Sequence, residues 1–237
     1  MKGNEADEKL SSEILNLQPD EATFLKNKYF NYYKHWYDYP AEKETRVLLI
    51  CESPPMPNTS IEKLKTMNDS QIAKKIPYFY NEDCPPDCRR RAYKIATTIF
   101  DGINCDKWWN PKLEMRKLFL RNFRNEGFLL VDLCTFPINQ IKGKRKENIR
   151  SWYHEDILNR IKEESPAQGI IIIGETMGNP LSSAIEDLSN GCYNGRCRVV
   201  LDPRRKGGIE ELRDALEAFG GTHLVLRTDI PDWNRED

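Results

Sequence analysis

Five short apolar runs constrain this chain more than any other feature: RVLLIC at 46–51, GFLLVDLC at 127–134, GIIIIG at 169–174, RVVL at 198–201 and THLVL at 222–226. A continuous β-branched run of strand length has no polar face to offer water. It predicts a strand covered on both sides, the environment of a parallel sheet between helical layers. The intervening stretches 89–101, 111–125, 151–164 and 208–219 carry helical periodicity. The expected class is α/β, a three-layer α/β/α sandwich with a central, mostly parallel sheet. Ahead of it, FLKNKYFNYYKHWYDYP places Leu25, Tyr29, Tyr32, Tyr33 and Trp36 at helical spacing, with Asp20 and Glu21 as an acidic first turn and Pro40 as a stop. This reads as an N-terminal helical extension whose aromatic face packs on the main domain. Aromatics interleaved with lysine would also suit stacking on single-stranded bases. The expected divisions are an extension over 1–44, the α/β domain over 45–228 and a tail over 229–237.

With 36 basic against 37 acidic residues the chain is no polyelectrolyte, and 39% hydrophobic residues, 10% of the chain aromatic, exclude a disordered composition. No apolar stretch approaches the roughly 18 residues that a membrane span needs, and the charged start MKGNEADEKLSSE lacks a signal-like core. A soluble, cytoplasmic monomer with no membrane partner is expected. The seven cysteines are odd in number, so reduced thiols are expected. Cys84 and Cys88, like Cys192 and Cys197, depart from the two-residue spacing of zinc knuckles, and no metal or cofactor is expected. Cys51 and Cys134 read as small buried hydrophobes.

The strand ends carry the chemistry. Four of the runs lead into polar or proline-rich turns: Glu52-Ser53-Pro54-Pro55, Thr135-Phe136-Pro137, Gly174-Glu175-Thr176-Met177-Gly178 and Asp202-Pro203-Arg204-Arg205. In an open parallel sheet the carboxyl ends of the strands share one edge, where ligands bind. Basic residues concentrate in three places: Arg89 to Arg91 with Lys94; Lys142, Lys144, Arg145, Lys146 and Arg150; and Arg204 to Lys206. Around that edge they would suit a phosphate backbone. Asp132 interrupts an apolar strand, so its carboxylate must be partnered or line a cavity. Glu52 is either a site acid or the partner of an ion pair or helix cap, and Phe79 either stacks on a ligand or belongs to the core.

In this order, Glu52-Ser53-Pro54-Pro55, the trio Tyr78-Phe79-Tyr80, Asp132 before Thr135-Phe136-Pro137, Gly174 to Gly178 and Asp202-Pro203 resemble the uracil-DNA glycosylase superfamily over residues 46–206, closest in style to its GExPG-type families. The resemblance implies a base pocket at the strand ends. There Glu52 would hold the hydrolytic water, Phe79 would stack on an everted base, and Asp132 would stand where the family reads the base with Asn. Glu52 and Asp132 would be the catalytic pair. Ser53, Pro54, Phe79, Thr135, Gly174, Asp202, Arg204 and Arg205 would contact the substrate, and Lys144, Arg145, Lys146 and Lys206 the backbone of the nucleic acid, DNA being the expected partner.

Two departures shape the expected activity. Where the family's last loop brings a His, this chain has Asp202-Pro203-Arg204-Arg205, and His35, His154 and His223 lie in other segments. Arg204 or Arg205 would then have to stabilise the departing base. An ionised Asp132 only accepts hydrogen bonds, whereas Asn both accepts and donates, so the pocket would prefer a base edge with adjacent donors. With no Cys before Cys51, the cluster of the family's iron–sulfur branch is not expected. The function expected from the resemblance is base excision in DNA repair, by hydrolysis of an N-glycosidic bond. The alternatives are a catalytically silent nucleic-acid-binding module on the same fold and a hydrolase of free nucleosides or nucleotides.

Overall fold

A computed structural model describes residues 19–57, 59–84, 90–110, 114–134, 137–138, 141–188 and 195–229. The chain divides into two compact units, one of Met1–Trp36, Glu52–Pro85 and Asp132–Tyr153, the other of Tyr37–Cys51, Pro86–Val131 and His154–Asp237. The first takes the N-terminal helix together with two later segments, and the second holds the sheet.

In the sheet unit, β1 (Val47–Cys51), β3 (Phe128–Asp132, its last residue grouped with the other unit), β4 (Gly169–Ile173) and β5 (Cys197–Val200) form the expected central parallel sheet in the order β3-β1-β4-β5. The register pairs Val47 with Gly169 through Ile50 with Ile172, and Ile170 with Cys197 through Ile173 with Val200. Every residue of β1 and β4 is buried, as their unbroken apolar sequence requires. The chain passes from β1 to β3 on one side, then back past β1 to β4 and β5. The winding direction therefore reverses between β1 and β4.

Helices flank this sheet. They are α4 (Arg91–Ile99), α5 (Cys105–Trp109), α6 (Met115–Asn125), α8 (His154–Glu164), α9 (Glu175–Leu188) and α10 (Gly208–Ala218). Helix α10 buries Leu212, Ala215 and Leu216 and packs on α4 and β5. Helix α6 is buried almost all round, Arg116, Arg121, Asn122, Arg124 and Asn125 included. Asn122 there clasps the chain near its end: its Oδ1 accepts from Arg227 N at 2.8 Å and its Nδ2 donates to Arg227 O at 2.9 Å.

Two expectations change. The run at 222–226 contributes only β6 (Leu224–Val225), which pairs in parallel with β2 (Phe100–Asp101) in a separate two-stranded sheet and leaves Val225 77% exposed. The turn expected at 174–178 is reduced to Gly174, and α9 begins at Glu175, with Pro180 inside the helix.

The other unit comprises α1 (Pro19–Tyr37, whose last residue belongs to the sheet unit), α2 (Ile61–Lys65), α3 (Asp69–Ala73) and α7 (Gly143–Trp152). The aromatic stripe of α1 is a packing face. Leu25, Tyr29 and Trp36 are buried, and the rings of Tyr29 and Tyr33 meet Tyr78 and Tyr80 edge-on at 5.2 and 5.8 Å. Lys28 to Asp69, at 2.6 Å, and Lys65 to Asp20 add exposed ion pairs worth little by themselves.

Candidate active site

Most of the residues expected in a site lie in the unit that contains α1, Glu52, Ser53, Pro54, Phe79, Asp132, Lys144 and Lys146 among them. The segment after β1 runs beside the segment after β3: Cys134 N donates to Glu52 O at 2.9 Å, and Ile138 N donates to Ser53 Oγ at 3.3 Å. Ser53 and Pro54 are buried, and Pro55 O accepts from the Tyr29 hydroxyl. A proline-rich turn has few N–H groups of its own, so its geometry rests on these outside partners.

The half-buried Glu52 carboxylate is held by two cations from α7. Lys146 Nζ stands 2.7 Å from Oε2, while Arg150 donates to Oε1 from Nε at 2.7 Å and again from Nη2. Lys146 and Arg150 are one helical turn apart, so a single face of α7 closes on both oxygens. Arg150 did not stand out in the sequence from the other basic residues of its run. Lys146, expected on a nucleic-acid backbone, is engaged with Glu52.

Asp132 accepts a hydrogen bond from the Tyr78 hydroxyl. Burial, then the Asp132 charge, pushes the Tyr78 phenol well above its ordinary range, and Tyr29 is shifted the same way by the same two causes. Tyr78 is therefore a proton donor to Asp132 throughout the neutral and mildly alkaline range. The Cys134 thiol lies in the field of both acids: burial first, then Glu52 and Asp132, push it far above the usual thiol range, which leaves it a neutral packing group.

Phe79 is 8% exposed and meets Tyr80 edge-on at 4.9 Å. The turn carrying this trio is anchored by Asn81, wholly buried, whose Nδ2 donates to Ala73 O at 2.7 Å and Ile76 O at 2.6 Å. Sequence reasoning passed over Asn81; its signal was a single amide directly after three aromatics. Thr135 lies outside the described residues, as do Cys88 and Cys192, and nothing is described of the Arg145 side chain. Lys144 is exposed on α7.

Gly174, Asp202, Arg204, Arg205 and Lys206 belong to the sheet unit. Gly174 O, at the end of β4, accepts from Gly178 N at 2.9 Å in the first turn of α9. Asp202 takes Arg91 at 2.8 Å and Arg204 at 2.6 Å on Oδ2, with Arg204 Nε on Oδ1 at 2.8 Å. The Arg204 guanidinium is thus committed to its neighbouring acid. Arg205 and Lys206 are exposed. Burial alone would raise the Asp202 carboxyl, but the hydrogen bonds and charges of Arg204 and Arg91 outweigh it and hold the group far below the usual carboxylate range. A depressed carboxyl contributes stability that is complete above its unfolded pKa of about 3.9 and is lost as the pH falls toward the folded value. Asp202→Asn is therefore expected to melt below the parent at neutral pH, with the gap shrinking below about pH 4. Calorimetry across that range checks this; a gap independent of pH would count against it.

Among the described residues no three His, Cys, Asp or Glu side chains gather as metal ligands would, and no helix is long and apolar enough to cross a membrane. Comparison with family models, curated proteins and solved structures returns no match.

Proposed function

We propose that the chain is a uracil-DNA glycosylase-like hydrolase that cleaves the N-glycosidic bond of an everted, deaminated or damaged base in DNA. One observation carries the reading: the two acids nominated as a catalytic pair, Glu52 and Asp132, open segments that run side by side, Cys134 N donating to Glu52 O at 2.9 Å. Two carboxylates converging from distant stretches of sequence suit a reaction that builds positive charge on a sugar while an uncharged base edge must be read.

In this reading Glu52 faces the sugar, aligning water and offsetting the charge that develops there. Asp132, its orientation fixed by Tyr78, accepts from N–H donors on the base edge. Phe79 contributes the apolar wall of the base site. The preferred base presents N–H donors, either the adjacent N1–H and amino group of guanine-like bases or the exocyclic amine of cytosine. The partner is DNA, bound by a monomer that needs no cofactor and works in the cytoplasm. A second reading, a silent nucleic-acid-binding module, is favoured by one observation: the loop that would replace the missing His spends Arg204 on Asp202.

The test is release of free base from oligonucleotides carrying uracil, hypoxanthine, xanthine or mismatches, in single and double strands. Release is expected from a base with adjacent N–H donors. Asp132→Asn should move the preference toward uracil by about tenfold to a hundredfold, the worth of one well-made base contact. Salt-sensitive DNA binding with no release from any substrate would leave only the silent module.

A further inference from the structure

Helix α7 is placed in an unusual way. Its N-cap, Lys142, makes no side-chain cap, its first turn holds no acid, and Lys144 and Arg145 follow directly. Basic residues there oppose the helix dipole. Among its described side chains only Ile149 is buried. Besides Ile149, its inner face is held by Glu52, one acid against the two cations Lys146 and Arg150, with side-chain exposures of 20%, 19% and 13%. These groups are half-buried and remain within reach of a ligand. A fork of Arg and Lys closing on both oxygens of one anion is also the donor set that takes a phosphodiester.

We propose that Lys146 and Arg150 form a phosphodiester site that Glu52 occupies as an internal counter-ion, so that DNA and Glu52 compete for the same cations. This rests on the reading of the chain as a DNA-binding enzyme and adds a regulatory device to that site. In the free protein both Glu52 oxygens are engaged, Oε2 by Lys146 and Oε1 by Arg150. A phosphate arriving at α7 takes over the two cations, completes the helix's charge and frees Glu52 to hold water. The exchange trades one anion for another on the two cations, and the released carboxylate, 20% exposed, is solvated by the water it is to hold. Binding of a backbone beside it is what makes the carboxylate available in most molecules.

Competition makes a prediction opposite to that for an ordinary binding residue: removing the acid strengthens binding. If the latch is closed in about nine of ten free molecules, Glu52→Gln should bind an undamaged duplex oligonucleotide about tenfold more tightly at low salt. Its salt dependence should be steeper, because added salt no longer helps to open the latch. Lys146→Met and Arg150→Met should each flatten the slope of log affinity against log salt by about 0.9 in the Glu52→Gln background, and by less in the parent, where each also weakens the latch. The measurement is fluorescence anisotropy on the full chain, with circular dichroism to confirm retained helix.

Glu52→Gln binding equal to or weaker than the parent, with helix retained, overturns the proposal. Should Glu52→Gln fail to fold, unchanged slopes for Lys146→Met and Arg150→Met overturn it. Because the duplex carries no damaged base, the outcome is separate from that of the enzyme reading. Base release without tighter Glu52→Gln binding removes the latch alone, and tighter binding without base release removes the enzyme alone. Absence of binding at the lowest salt removes both.

Discussion

Glu52→Gln is expected to slow single-turnover base release by about a hundredfold to ten-thousandfold, the range for losing a positioned group that handles a proton or water. The substitution keeps shape and volume but deletes the charge that would offset a positive sugar, and an amide presents a donor where water should be accepted. Enzyme in excess over oligonucleotide removes binding from the measured rate, which matters because the same substitution is expected to tighten binding. Falling chemistry with rising affinity would separate a site acid from a purely structural one. If release from the best substrate of the panel instead stays within about threefold of the parent, Glu52 has no part in the chemical step.

The largest expected effect on stability lies at the start of α10. A Cβ added to Gly208 would stand 2.2 Å from Asp202 O, 2.8 Å from the Asp202 carbonyl carbon and 3.1 Å from Pro203 Cα. All three are backbone atoms, so no side chain can swing away, and either the loop or the helix must move. Gly208→Ala should cost about 3 kcal/mol, the upper range for overpacking, or a fall in melting temperature of about 6–12 °C. Its neighbour is the control. Gly207 has φ +82 with nothing within 4 Å of an added Cβ, so Gly207→Ala meets only the left-handed backbone penalty of about 1–2 kcal/mol. Calorimetry of the pair reads both, and equal losses would mean that close approach to Asp202 is not what position 208 requires.

The same close-packing logic explains where sequence reasoning stopped. Gly174 to Gly178 looked like a turn because Gly and Pro punctuate loops. Gly178 instead sits inside α9, where a Cβ would come 2.1 Å from Val199 Cγ1. It is a glycine of helix–sheet contact, and propensity cannot tell that from a turn glycine. The run at 222–226 read as a core strand from its apolar residues, yet it forms only a two-residue pairing with β2 at an exposed position. The run is broken at His223, whose φ of 56 is left-handed, so only Leu224 and Val225 remain extended. The aromatic period of α1 was legible, because a buried face must recur with the helical repeat, and Tyr29 and Trp36 are buried as the spacing required.

Of the candidate site, residue types and order were readable and partnerships were not. Asp132 announced itself, since a carboxylate inside an apolar strand demands a partner, but nothing local named Tyr78. Lys146 and Arg150 were two members of a basic run; that they close on an acid 94 and 98 positions earlier follows only from how α7 is laid down. Likewise Arg91 and Arg204 counted toward a positive surface until both proved to share Asp202.

The amino-acid order alone determined the class of fold. Burial on both faces of a strand, or on one face of a helix, is a condition on neighbouring residues and so leaves a local periodic trace. Tertiary structure alone decided which cations remain available to a ligand. Ion pairing acts through space and falls off within a few ångströms, so it leaves no periodicity along the chain to be read.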